Sequence, residues 1–142
     1  MKTIAGLLLA FAIVLGIGSP AGADVGAADR AAIQSVISAQ IEAFRRDDGA
    51  AAYGLASPNI HSLFPSVDRF MAMVKSGYRP VYRPRSVTFG AVSETPTGPA
   101  QKVFVTGPDG RDWVAIYTLE RQPDGSWKIN GCTLVEDDGA AI

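Results

Sequence analysis

The chain reads as an α+β domain: N-terminal helices packed on a four-stranded antiparallel sheet. Three observations lead there. Between residues 29 and 76 apolar residues recur at helical spacing behind Ser, Asp and Pro start signals. From residue 85 to residue 135 they come instead in strand-length runs separated by Pro, Asp and Gly turns. Helices first and strands after, joined by turns too short for crossovers, exclude a parallel sheet and give a segregated α+β order.

The first residues precede that domain and have a different character. Lys2 is followed by an apolar run from Ile4 to Ile17, then by the breakers Gly18, Ser19 and Pro20 and the small-residue triplet Ala21-Gly22-Ala23. Fourteen apolar residues suit a signal-peptide core and fall short of the roughly 20 that span a bilayer. Residues 1–23 are therefore expected to be a signal peptide cleaved after Ala23, with the product periplasmic or secreted and not inserted in a membrane. No cysteine follows the cleavage site, which excludes a lipid-anchored product. Residues 24–28 read as a flexible lead, 29–136 as a single domain and 137–142 as an acidic tail.

Each element has its own signal. Asp29 is the expected cap of a first helix whose apolar positions Ile33, Val36, Ile37, Ile41 and Phe44 form one stripe. Arg45 and Arg46 suit its C-terminal end, and Asp47-Asp48-Gly49 ends it. Asp48 can cap a short helix over residues 50–56, Ser57-Pro58 starts another, and Ser66 starts one from Val67 to Ser76 that stops at Gly77. Pro80 and Pro84 then push Arg79 and Arg83 toward extended backbone. Strands are expected over 85–93, 101–106, 112–121 and 126–135, with turns at 95–99, 108–110 and 123–125. The third, Trp113 to Leu119, is apolar on both faces, which places it centrally with cover on each side. Helices can cover one face and a partner subunit or a long loop the other, so a homodimer is one expected arrangement.

This order of elements resembles the nuclear-transport-factor-two-like superfamily, also called cystatin-like. The resemblance implies that the sheet is strongly curved and that helices and sheet form a cone with a cavity between them. More closely, the chain resembles an uncharacterised family of exported bacterial domains of unknown function. The segments that carry this likeness are 56–60, 73–78, 80–84 and 124–132, ending in Trp127-Lys128-Ile129-Asn130-Gly131-Cys132. Superfamily members include isomerases, dehydratases, binding modules and secretion accessories, so the likeness implies no reaction.

Charge and chemistry narrow the function classes. Without Lys2 the chain carries 12 basic and 14 acidic residues, which offers no pull toward nucleic acid. Cys132 is the only cysteine. It has no partner for an internal disulfide and, on a strand, is expected to be buried and inert. One histidine and one cysteine give no metal-ligand spacing, and no phosphate loop or dinucleotide fingerprint is present, so neither metal nor cofactor is expected.

The candidate catalytic residues are His61, as a general base with Tyr53, Tyr78 or Tyr82 as donors, since an unperturbed histidine titrates near neutrality, and Asp112, with Asp68 another possible base. The candidate ligand-binding residues are Tyr78, Arg79, Tyr82, Arg83, Trp113 and Tyr117. The stretch from Tyr78 to Arg85 interleaves arginine with tyrosine and suits a carboxylate or phosphate. Trp113 and Tyr117 lie four apart, on one strand face, and are expected to wall an apolar pocket. The leading expectation is an exported, non-catalytic domain that binds a small apolar or anionic ligand or a protein. A cavity enzyme of isomerase or dehydratase type is the first alternative. An envelope-accessory protein that binds a partner through its sheet face is the second.

Overall fold

A computed structural model describes residues 25–138. The expected signal peptide and the last four residues of the acidic tail lie outside the described residues. The elements run α1 (Ala27–Arg45), α2 (Gly49–Gly54), α3 (Pro58–Leu63), α4 (Val67–Gly77), α5 (Arg79–Tyr82), β1 (Ser86–Thr95), β2 (Gly98–Thr106), β3 (Asp112–Arg121) and β4 (Trp127–Glu136). Five helices thus precede an open sheet of order β1-β2-β3-β4 with every neighbouring pair antiparallel. The α+β class and the four-stranded meander are as the sequence predicts.

The helices start where side chains can satisfy their free N–H groups. Asp48 accepts from Ala51 N–H at 3.1 Å, Ser57 from Ile60 N–H at 3.3 Å and Ser66 from Arg69 N–H at 3.2 Å. Two local readings need correction. α1 begins at Ala27 after Gly26 with no side-chain cap, and Asp29 lies inside its first turn, 2.5 Å from Arg121. The positive end of the helix holds that carboxylate well. Val25 is buried, and Ala27 and Ala28 already belong to α1. The second correction is α5, expected as extended chain. Pro80 sits in its first turn, where a missing N–H costs nothing, and Val81 and Tyr82 N–H both bond Tyr78 O at 3.0 Å. Pro84 then ends it by holding Arg83 at φ −139°.

The core lies between α1 and the inner face of the sheet. Ile33, Ile37, Ile41 and Phe44 of α1 meet Val103 and Val105 of β2 and Ala115, Tyr117 and Leu119 of β3, all almost fully buried. β3 is an interior strand, as expected, but cover is one-sided. On its outer face Val114 and Ile116 are half-buried, and their cross-strand neighbours Phe104 and Val135 are 41% and 48% exposed.

A tight turn and two bulges shape the sheet, one bulge in β1 between Phe89 and Val92 and the other in β4. The β1–β2 turn is tighter than the expected 95–99 loop: only Pro96 and Thr97 lie between the strands. Gly98 adopts φ +113°, and any Cβ there would lie 2.7 Å from Leu119 O, so only glycine serves. In β4 the register slips between Thr118/Leu119 and their partners Gly131 and Ile129, leaving Asn130 as a bulge. Beside it the α2–α3 link runs along the open edge of β4. Ser57 N–H bonds Ile129 O at 2.8 Å and Ile129 N–H bonds Leu55 O at 2.9 Å, which covers an otherwise unpaired edge.

Candidate apolar cavity

A cavity of about 350 Å³ lies between the helices and the β3–β4 end of the sheet, within the range of small-molecule sites. Its helical wall is Phe44 of α1, Ile60 of α3 and Phe70, Met73 and Val74 of α4, closed by Tyr78 and Val81. Its sheet wall is Tyr117 of β3 with Ile129 to Cys132 of β4. Leu63 and Phe64 form the mouth, and Leu63 is 63% exposed. The space stays open because Cys132, short and directly opposite Tyr117 in register, stands where a large apolar side chain would fill it, and because the bulge turns the backbone at Asn130.

Few polar groups reach this cavity, and each is held. Gln40 is buried on the α1 stripe and donates from Nε2 to Ala52 O at 3.1 Å, which leaves its Oε1 as an acceptor. Ser57 Oγ already accepts from Ile60 N–H, so its single proton goes to Asn130 Oδ1 at 2.6 Å. That fixes the Asn130 amide and leaves its NH₂ to offer. Burial raises the Tyr78 phenol above its ordinary pKa and pushes the Cys132 thiol up to about 12, so both are neutral at physiological pH. Tyr117 is 1% exposed, and its hydroxyl makes no hydrogen bond among the described residues. Burial holds its pKa well above the usual phenol value. The one group beside it is the Cys132 thiol, a weak acceptor.

A family model for a domain of unknown function, DUF4864, matches residues 26–142, which takes in all five helices and all four strands. The chain belongs to the DUF4864 family. No curated protein and no solved structure matches it. The cavity of this DUF4864 domain must therefore be read from its own residues.

The six ligand-binding candidates of the sequence fall in three places. Tyr78 and Tyr117 line the cavity. Arg79 and Trp113 line a separate surface groove of about 640 Å³ with Pro80, Asp109 and Leu134, and Arg111 lies over the Trp113 ring. Trp113 and Tyr117 thus share a strand face but not a pocket. Tyr82 and Arg83 form a third group with Asp47, which takes a hydrogen bond from the Tyr82 hydroxyl and an ion pair from Arg83 at 2.8 Å. Arg83 also donates to Phe44 O, closing the C-terminal end of α1. These bonds lower the Asp47 pKa and raise that of Tyr82, and they spend the cation and the phenol that an anionic ligand would need.

The candidate catalytic residues stand apart from the cavity. His61 stacks on Tyr53 with ring centroids 3.9 Å apart, and its Nε2 lies 2.7 Å from Tyr53 O. A carbonyl can only accept, so Nε2 carries the proton and is no base in this arrangement. The Tyr53 hydroxyl goes to Phe64 O at 2.6 Å. Asp112 is exposed and accepts from Thr106 Oγ1 at 2.6 Å. Among the described residues no three His, Cys, Asp or Glu side chains gather as a metal site would need. Gln40 and Asn130 went unnoticed in the sequence. A polar residue on the apolar stripe of α1 was the available sign of the first, and the second depends on a bulge that no local pattern announces.

Proposed function

We propose that this DUF4864 domain is an exported, non-catalytic binding domain whose cavity takes a small, predominantly apolar ligand. We propose further that its helix-and-sheet arrangement belongs to the nuclear-transport-factor-two-like superfamily. The observation that carries the function is the cavity itself. It is roomy and apolar-walled, with a fully buried hydroxyl left unpaired in its lining. General acid–base chemistry would call for a carboxyl or imidazole within reach of the ligand, and the lining residues include neither. Native mass spectrometry on protein purified from the periplasm of cells expressing the full chain tests this directly. The expected spectrum shows a chain starting at Asp24 with a retained small molecule that is lost on denaturation. A bare chain that also fails to take up an apolar dye would overturn the reading.

The outer sheet face supports a second reading, a homodimer or a protein partner on that surface. Phe104 and Val135 there are large, apolar and exposed, the kind of surface that marks contact sites when contiguous. Sedimentation of the wild type against Phe104→Glu is the test. A dimer lost in the variant supports it, and a monomer in both cases ends it.

A further inference from the structure

We infer that the ligand is uncharged and carries a hydrogen-bond-accepting oxygen, such as a ketone, ester or amide carbonyl on an apolar body. It sits with that oxygen at the Tyr117 hydroxyl and its body directed toward Leu63. This rests on the cavity being a ligand site and adds the chemistry of what enters.

Three features of the lining select that chemistry. First, the Tyr117 hydroxyl is a buried donor that makes no hydrogen bond of ordinary geometry and has only a thiol beside it, whereas the great majority of buried polar atoms in native proteins have a good partner. The nearest polar group, the Cys132 thiol opposite in register, is a weak acceptor. A carbonyl oxygen at this point supplies what the protein does not. A pure hydrocarbon would displace solvent and leave the hydroxyl unpaired, at the full desolvation cost of that group. Second, the sixteen lining residues include no Lys, Arg, His, Asp or Glu. An ionised carboxylate or phosphate carried to Tyr117 would be buried without a counter-charge, which is strongly unfavourable. The arginines that could have served are held elsewhere, Arg83 on Asp47 and Arg79 in the separate groove. Third, the mouth is apolar. Leu63 is exposed and Phe64 and Met73 stand beside it, so the part of the ligand nearest solvent is its hydrocarbon and the polar end points inward.

The test uses the protein purified from cells expressing the full chain, loaded with the neutral dye N-phenyl-1-naphthylamine. The dye is displaced by 2-octanone, n-octane or octanoic acid, in the wild type and in Tyr117→Phe. The expected result is that Tyr117→Phe weakens 2-octanone on the order of tenfold while leaving n-octane unchanged or slightly tighter. A second measurement needs no variant. Octanoic acid should bind only when protonated, so its apparent affinity falls about tenfold for each pH unit above its carboxyl pKa. If the dye and all three probes fail to bind, the cavity is not a ligand site and the proposed function falls with the inference. If they bind but Tyr117→Phe changes ketone and alkane alike, the site stands and the role of the hydroxyl is overturned. If octanoate binds with no dependence on pH, the requirement for a neutral ligand is overturned.

Discussion

Replacing Tyr117 by Phe removes one oxygen and keeps the ring. Its effect on the ligand-free protein follows from the same geometry. The ring is packed in the core and 1% exposed, so its apolar contribution is retained. The hydroxyl has left water for a place with no protein partner, and an unsatisfied buried hydroxyl costs about 1–3 kcal/mol. The low end applies because the Cys132 thiol beside the hydroxyl can accept weakly, so the expected gain is about 1 kcal/mol. The described domain has 114 residues, counted from 25 to 138. Unfolding such a domain releases about 0.24 kcal/mol/K of entropy near the midpoint, so 1 kcal/mol raises Tm by about 4 °C. Tyr53→Phe is the control. That hydroxyl donates to Phe64 O at 2.6 Å, and its loss should lower Tm by a similar amount because a bond is broken and a carbonyl is left short. Thermal melts followed by circular dichroism, with urea titrations to show an unchanged m-value, read both. Opposite signs for the two variants are the expected outcome. Should Tyr117→Phe lose about 1 kcal/mol as Tyr53→Phe does, the hydroxyl has a partner within the fold and the reasoning fails.

Three further perturbations test other parts of the account. With its thiol pKa near 12 against an ordinary 9.0, Cys132 should react with iodoacetamide at pH 8 roughly a thousandfold more slowly in the folded than in the unfolded chain, since only the thiolate attacks; equal rates would contradict its burial. Asp47→Asn keeps a residue that tolerates φ 56° but removes the charge that Arg83 and Tyr82 hold. Because the folded pKa of Asp47 is lowered below 3.8, its contribution is present above pH 3.8 and lost as pH falls through the folded value. The variant should therefore be less stable than wild type in urea at pH 7 and converge with it near pH 2, and a gap that persists there would count against ionisation as the cause. Ser57→Ala deletes both the α3 cap and the bond to Asn130, so a loss of about 2 kcal/mol is expected in urea titrations; a loss under 0.5 kcal/mol would mean that Ser57 does not hold the bulge side of the cavity.

What was legible in the sequence is what short-range chemistry decides. Asp48, Ser57 and Ser66 cap helices because a side-chain oxygen three residues before a free N–H reaches it without help from the rest of the fold. The span 112–121 is a strand at the bounds that its apolar run and the flanking Pro-Asp-Gly turns give. The start of α1 was not legible because Gly26 caps nothing, and burial of Val25 against the core sets that boundary instead. The Tyr78–Arg85 stretch misled for a similar reason. Its arginines and tyrosines look like one binding cluster while they are adjacent in sequence. One turn of α5 sends Arg79 into the outer groove and Tyr82 with Arg83 onto Asp47. Asp47, the acceptor that binds them, lies 35 residues earlier, and nothing local announces the pairing.

The cavity was the least legible feature, and the reason separates a site from a packing fault. An accidental void is a place where side chains fall short, and its walls are ordinary core. Here four departures from local rule share one lining: a glutamine on the buried stripe of α1, a bulge at Asn130 pinned by Ser57, a cysteine where a large residue would fit, and a tyrosine hydroxyl with only a thiol beside it. The buried Gln101 and the bulge in β1 lie elsewhere and satisfy one another, Gln101 Nε2 donating to Gly90 O at 2.9 Å. Each of the four costs the folded state something, and elsewhere in the core the same chain packs Ile33, Ile37, Val103 and Leu119 with no exposure at all. Natural sequences tend to break consistency where function requires it. A chain able to pack that core so completely leaves this space open beside a hydroxyl that, among the described residues, is the one buried side-chain group without a hydrogen bond of ordinary geometry. The ligand we propose would fill the space and accept that bond, turning both costs into binding energy.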